Sequence, residues 1–204
     1  MTFPLSRRTI IRGSVGFLAA LVFTMALVLC EQKRADTTMD DVLSAYLSDG
    51  ILHDAHDWGT ERGILIVLQR EAQPPGMWRT RLLYPFDSRL RFPESSFLTR
   101  SSFTLANAIP SKLIATLHLP NGVNVVKVDR HDLQQSQASE EFQTRFPNNL
   151  GYIAVSRLGL NLDRTEAIFY VDHFCGLCGG GRYVLMRKVN ESWKVVAEHY
   201  TWIS

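Results

Sequence analysis

Apolar and polar positions divide this chain into a leader and a folded stretch. Gly13 to Cys30 is an 18-residue run without a charged side chain. As a helix rising about 1.5 Å per residue it would span roughly 27 Å, the depth of a bilayer core. Farther on, Val42, Leu43, Tyr46 and Leu47 recur at spacings of three and four, which predicts a helix. Thr38 followed by Asp41 resembles a capping box at its start, and Gly50 a stop at its end. Gly63 to Leu68 is an apolar, β-branched run and predicts a buried strand. Pro74-Pro75-Gly76 breaks the chain before a short strand candidate, Thr80 to Tyr84. Glu94 to Ala108 predicts a helix ended by Pro110, with Phe97, Leu98, Phe103 and Leu105 as core contacts. Val123 to Val128 reads as a strand after the Asn121-Gly122 turn. Asp132 to Phe146 reads as a polar helix with Phe142 and Phe146 on one side.

The last third carries four strand candidates: Tyr152 to Val155, Ala167 to His173, Arg182 to Val189 and Trp193 to Trp202. Short turn-like segments join them, as in an antiparallel meander. The predicted class is α+β: a mainly antiparallel sheet with a C-terminal strand meander, helices packed on one face, and an N-terminal transmembrane or signal helix. The expected organisation is a membrane segment over 1–30, a polar tether over 31–37 and one domain over 38–204.

Charge sharpens this division. The chain has 22 basic and 20 acidic side chains. Arg7, Arg8 and Arg12 precede the apolar run, and the first 30 residues hold no acid, so residues 31–204 carry 19 basic against 20 acidic groups. The folded stretch is nearly neutral, which argues against a nucleic-acid footprint. Arginines ahead of an apolar helix predict that the N-terminus stays in the cytoplasm. The expected location is a bacterial inner membrane, single-pass through residues 13–30, with the domain in the periplasm or outside. A cleaved signal peptide that releases the domain, and a lipoprotein modified at Cys30, are alternatives. Ser6-Arg7-Arg8-Thr9-Ile10-Ile11 also resembles a twin-arginine export signal.

The C-terminal block runs Ser156-Arg157-Leu158-Gly159-Leu160-Asn161, then a strand from Thr165 to Val171. Cys175-Gly176-Leu177-Cys178-Gly179-Gly180-Gly181 and Tyr183-Val184-Leu185 follow, and Trp193-Lys194-Val195-Val196 and Trp202-Ile203-Ser204 close the chain. It resembles a family of uncharacterised exported bacterial proteins over roughly the last 55 residues. That resemblance implies an architecture and brings no activity with it.

The most unusual stretch is Asp172 to Gly181, with four glycines in ten residues. A structural reading closes Cys175 and Cys178 into a small disulfide at a hairpin end. Redox exchange is a second reading, although a strand follows the Cys-x-x-Cys rather than the helix that lowers a thiol pKa. Metal binding is a third, with His173, Cys175, Cys178 and His199 as ligands. If Phe174 pairs with Gly181 and Val189 with Ser192, one row reads His173–Arg182–His199, with a guanidinium between the imidazoles. A Cys175–His173 nucleophile would need the strand to bend.

Elsewhere, His53-Asp54-Ala55-His56-Asp57 is a polar cluster between Gly50 and Gly59, best read as a solvated loop. Ser156, Arg157 and Arg182 are ligand or anion candidates, and an internal salt bridge from Arg157 to Asp163 or Glu166 is the competing reading. Trp193 and Trp202 stand nine apart, an odd interval that puts them on opposite faces of the last strand. Catalytic fingerprints such as Gly-x-Ser-x-Gly or His-Glu-x-x-His are absent from the sequence. The expected function is non-catalytic binding or envelope assembly, with no cofactor and with an unknown protein or small molecule as partner. The alternative is a redox or metal protein working through the Cys175–Cys178 loop.

Overall fold

The computed structural model describes residues 36–51, 64–69, 71–72, 92–108, 111–113, 115–136, 140–147, 149–174 and 179–203. The chain divides into two compact units, Met1–Thr38 and Met39–Ser204. The apolar leader, the His53–Asp57 cluster, the Thr80–Tyr84 strand candidate and the Cys175–Cys178 pair lie outside the described residues. Among the described residues no helix is long and apolar enough to cross a membrane.

The first described helix, α1, covers residues 36–46 and passes into a π-helical turn, Leu47–Ile51. Thr38 therefore lies inside the helix rather than capping it, and Gly50 falls within the turn. Met39, Val42, Leu43, Tyr46 and Leu47 are all buried, the i, i+3, i+4, i+7, i+8 stripe of an amphipathic helix.

The strands are β1 (Ile64–Gln69), β2 (Glu71–Ala72), β3 (Ser111–Lys112), β4 (Val123–Val128), β5 (Asn149–Val155), β6 (Gly159–Leu160), β7 (Glu166–Phe174), β8 (Gly180–Val189) and β9 (Ser192–Ile203). Three further helices are α2 (Phe97–Ala106), α3 (Arg130–Ser136) and α4 (Glu140–Arg145). Seven strands form one sheet in the order β4-β1-β5-β7-β8-β9, with β6 also paired to β7. The expected meander is present: β5, β7, β8 and β9 pair antiparallel in succession. The sheet as a whole is mixed, because β1 runs parallel to both of its neighbours, β4 and β5. A parallel return needs a crossover, and α3 and α4 supply it between β4 and β5.

Helices cover both faces of the sheet, not one. On the first face α1 packs with Ile66, Leu68, Ile153, Val155, Phe169, Val171, Val184, Met186 and Trp193. On the second face Phe103 of α2 packs with Ile168, Tyr170, Tyr183 and Leu185. Leu133 of α3, Phe142 of α4 and Phe146 just after α4 pack there with Val67, Tyr152 and Ala154. The polar segment read as one helix over Asp132–Phe146 is thus two short ones, with both phenylalanines buried.

Helix α2 departs furthest from its expected packing. Phe103 is fully buried, but Phe97, Leu98 and Leu105 are 73%, 50% and 75% exposed. They occupy the arc opposite Phe103. The reason Phe103 alone enters the core is β6: a Cβ on Gly159 would overlap the backbone and Cβ of Phe103, so helix and strand meet at that glycine.

The start of α2 is held by Glu166. Ser96 caps the helix, its side chain accepting from the Thr99 N–H. Glu166 Oε1 accepts from the Ser96 N–H at 2.8 Å and from Thr99 Oγ1 at 2.7 Å, and Oε2 accepts from Arg187 Nε at 3.0 Å. Burial alone would raise this carboxyl, but the donors outweigh it and hold its pKa below the ordinary value. A depressed pKa means that stability present above the unfolded carboxyl pKa, about 4.3, is lost as pH falls through the folded one. Glu166→Gln is expected to cost about 1–3 kcal/mol near neutrality. It should also flatten the loss of stability below about pH 4. Urea unfolding at several pH values checks both, and equal curves for the two proteins would refute the assignment.

Candidate functional site

The register of β7, β8 and β9 decides which residues meet. Asn190 and Glu191 have φ of 48° and 62°, the left-handed pair of a two-residue hairpin turn, and Val189 pairs with Ser192, one of the two pairings the histidine row requires. Farther along, two irregularities change the count. Leu185 faces Ala197 while Met186 faces Val195, so Val196 is an extra residue. Gly181 faces Trp202 while Arg182 faces Tyr200, so Thr201 is another. Each is a one-residue bulge.

The row His173–Arg182–His199 is not formed, for two reasons: the β7–β8 register sets His173 rather than a residue beyond Phe174 against Gly180, so Phe174 does not pair with Gly181, and the Val196 bulge moves His199 off Arg182. His173 pairs with Gly180, Val171 with Arg182, and Tyr183 with His199. Cross-strand partners share a face. His173 lies beside Ile153 on the α1 face. His199 lies beside Tyr183 on the α2 face, where its ring meets Phe92 edge-on at 4.5 Å. The structure does not bring the two imidazoles together. Among the described residues no group of three His, Cys, Asp or Glu side chains is arranged to hold a metal ion.

The anion candidates serve the fold. Ser156 is buried; its Oγ accepts from the Tyr170 N–H at 2.8 Å and donates to the Arg157 carbonyl at 3.0 Å. The Arg157 backbone is clamped by the Asn107 amide, which accepts from its N–H and donates to its carbonyl. Glu166, one of the two acids considered for Arg157, is engaged by Arg187 instead. Arg182 places its Nε 2.8 Å from Tyr46 Oη and 3.0 Å from Glu198 Oε1, and its guanidinium lies over the Tyr46 and Tyr200 rings. That arginine ties α1 to the sheet. Burial raises the Tyr46 hydroxyl pKa well above its usual value, so Tyr46 stays neutral there.

A different group emerges at the β7–β8 end of the sheet, on the α2 face. One row across four strands reads Ala154, Asp172, Gly181, Trp202. Asp172 is only 5% exposed. Its Oδ1 accepts from Tyr170 Oη at 2.8 Å and from Trp202 Nε1 at 2.9 Å. Tyr170 Oη also lies 3.0 Å from Thr201 Oγ1, which donates to the Gly181 carbonyl at 2.9 Å.

Trp202 stands two strands from Asp172, and two local features let it reach. Gly181, on the strand between, has no side chain. A Cβ there would overlap Trp202 Nε1, Tyr170 Oη and Asp172 Oδ1. The bulge at Thr201 turns both Thr201 and Trp202 toward the same face, where they meet the Asp172–Tyr170 pair.

Aromatic rings wall the carboxyl. Tyr152 and Phe174 stack at 4.5 Å, and Phe174 and Trp202 lie 5.2 Å apart. Phe174 and Trp202 are half-buried. Desolvation raises the Asp172 pKa, against the two donors that lower it. Tyr170 is pushed up to about 12, chiefly by burial. Tyr152 is raised by burial and by the Asp172 charge, with Arg130 opposing. All three shifts describe one region of low dielectric in which negative charge is costly.

Comparison with protein-family models, with curated proteins and with solved structures finds no match. The chemistry of this sheet end therefore rests on its own geometry. It can present an electron-rich aromatic surface backed by a carboxyl. Sequence reasoning centred on the neighbouring cysteines and histidines and passed over Asp172. The available signal was an acid inside a strand, preceded by the apolar pair Tyr170-Val171 and followed by His173-Phe174, opposite a glycine.

Gly181→Ala tests the construction. It is expected to destabilise the domain by about 1–3 kcal/mol through overpacking and to shift tryptophan emission as the indole leaves Asp172. Thermal unfolding and fluorescence would report it; an unchanged melting temperature and spectrum would show that the row is not packed this way.

Proposed function

We propose that the protein is a membrane-tethered extracytoplasmic domain that binds a partner rather than transforming it, and that the Asp172–Trp202 end of the sheet is its binding end. One observation carries the binding reading: a buried carboxyl held behind two half-exposed aromatic side chains. Small-molecule sites usually combine apolar and aromatic side chains with a few convergent polar groups, the composition found here. The tether reading draws on the sequence: an uncharged 18-residue run behind three arginines, joined to a nearly neutral domain. The resemblance of residues 156–204 to exported bacterial proteins points the same way. A disulfide between Cys175 and Cys178 would suit an oxidising compartment and is part of this proposal.

A fusion of alkaline phosphatase after Ser204 tests the location, because that enzyme becomes active only outside the cytoplasm. Intact cells are expected to show phosphatase activity that stays with the membrane after carbonate extraction. A stable full-length fusion without activity would refute the extracytoplasmic reading, and activity released into the soluble fraction would favour a cleaved leader.

A further inference from the structure

We infer that the outer arc of α2 pairs with the same arc of a second copy of this chain, the two helices lying antiparallel. This interface is separate from the binding end at Asp172 and does not depend on it.

Helix α2 is apolar on two sides. Phe103 enters the core, while Phe97, Leu98 and Leu105 occupy the opposite arc and are exposed. A surface helix ordinarily turns charged side chains to water. Between Phe97 and Ala106 the one charged residue is Arg100, and its guanidinium is folded back on the start of the helix. Its Nη1 donates to the Ser95 carbonyl at 2.7 Å, to Ser95 Oγ at 2.9 Å and to the Phe92 carbonyl at 3.2 Å. The outer arc is thus left without a charge. Strand β6 extends it: the Leu160 N–H donates to Ser102 Oγ at 3.2 Å, and Leu162, two residues on, is exposed.

Three features fit a second copy. A two-fold contact sets a patch against itself, so a charge near the axis would meet its like. An uncharged arc meets no such repulsion. The spacing is the second feature. Leu98, Ser101 and Leu105 stand at i, i+3 and i+7, the line along which paired helices meet. The small Ser101 in the middle lets two helices close. Each Leu98 then meets the partner's Leu105, once on either side of the crossing. The third is area. An aromatic side chain offers about 200 Å² and a leucine less, so the exposed parts of Phe97, Leu98, Leu105 and Leu162 come to roughly 450 Å² per copy. With Ser101 beside them, two arcs cover about 1,000 Å², where specific interfaces begin.

A bilayer is the competing occupant of an apolar arc. Helices that lie in a membrane surface carry lysine and arginine on their polar side. The exposed charged residues adjoining this arc in sequence, Glu94 and Asp163, are acids.

In the test, the photo-crosslinker benzoylphenylalanine replaces Phe97 in the full chain, and cells express two forms of that chain with different tags. Irradiation is expected to give a product of twice the chain mass that carries both tags. The same probe at Val189, exposed at the end of β8, should give at least fivefold less. L98E buries an unpaired carboxylate at each contact and should cut the yield from position 97 at least fivefold. L98E combined with L105K sets opposite charges across both contacts and should recover at least half of the parent yield. Both leucines are exposed, so the purified variants should melt near the parent.

Equal yields from the two probe positions would overturn the inference, as would crosslinks from position 97 that reach only lipid or a different protein. Crosslinking unaffected by L98E would overturn it too. A double variant no better than L98E alone would overturn the antiparallel pairing.

Discussion

Strand β7 has to satisfy two cores at once. Ala167, Phe169 and Val171 enter the layer under α1, while Ile168 and Tyr170 enter the layer under α2. No face of the strand is left for water, so its register against β5 and β8 is fixed on both sides. A slip of one residue would exchange the two cores. The strand nevertheless begins and ends this buried stretch with an acid, Glu166 and Asp172, both buried. The first is answered by a helix N-terminus and an arginine, and its proton affinity falls. The second accepts from Tyr170 and Trp202, but desolvation outweighs these donors and its proton affinity rises. One strand thus holds an acid whose charge is favoured at one end and an acid whose charge is disfavoured at the other.

What the sequence could show follows from how each element is packed. Helix α1 and the meander strands were legible because their apolar positions repeat with an unambiguous period. The direction of β1 was not. A short run such as Ile64-Leu65-Ile66-Val67-Leu68 looks the same in a parallel and an antiparallel sheet, and only the crossover through α3 and α4 decides it. Helix α2 misled for a related reason. Phe97, Leu98 and Leu105 are as apolar as Phe103, but the helix can turn only one arc toward the sheet, and the close approach at Gly159 selects the arc of Phe103.

The candidate site depended on details finer than periodicity. Alternation along β9 correctly put Trp193 and Trp202 on opposite faces, yet two bulges lie between them. Two extra residues restore the parity that either one alone would have reversed. His199 lies past only the first bulge, so its expected partner, Arg182, is replaced by Tyr183. A single unmarked residue, Val196, was enough to move an imidazole to the other side of the sheet.

The two tryptophans of β9 also show why the Asp172 end is hard to explain as ordinary packing. Trp193 is 5% exposed in the α1 core, where its area is used fully. Trp202 is only half-buried. To hold it there the sheet accepts a glycine inside a strand, which weakens the strand, a bulge near its end, and a desolvated carboxyl. A core built for stability alone would be served better by a β-branched residue at 181 and an aliphatic one at 202. Three locally unfavourable choices converging on one half-buried side chain are the kind of local inconsistency that accompanies functional sites, and they are why the proposed binding end is placed here.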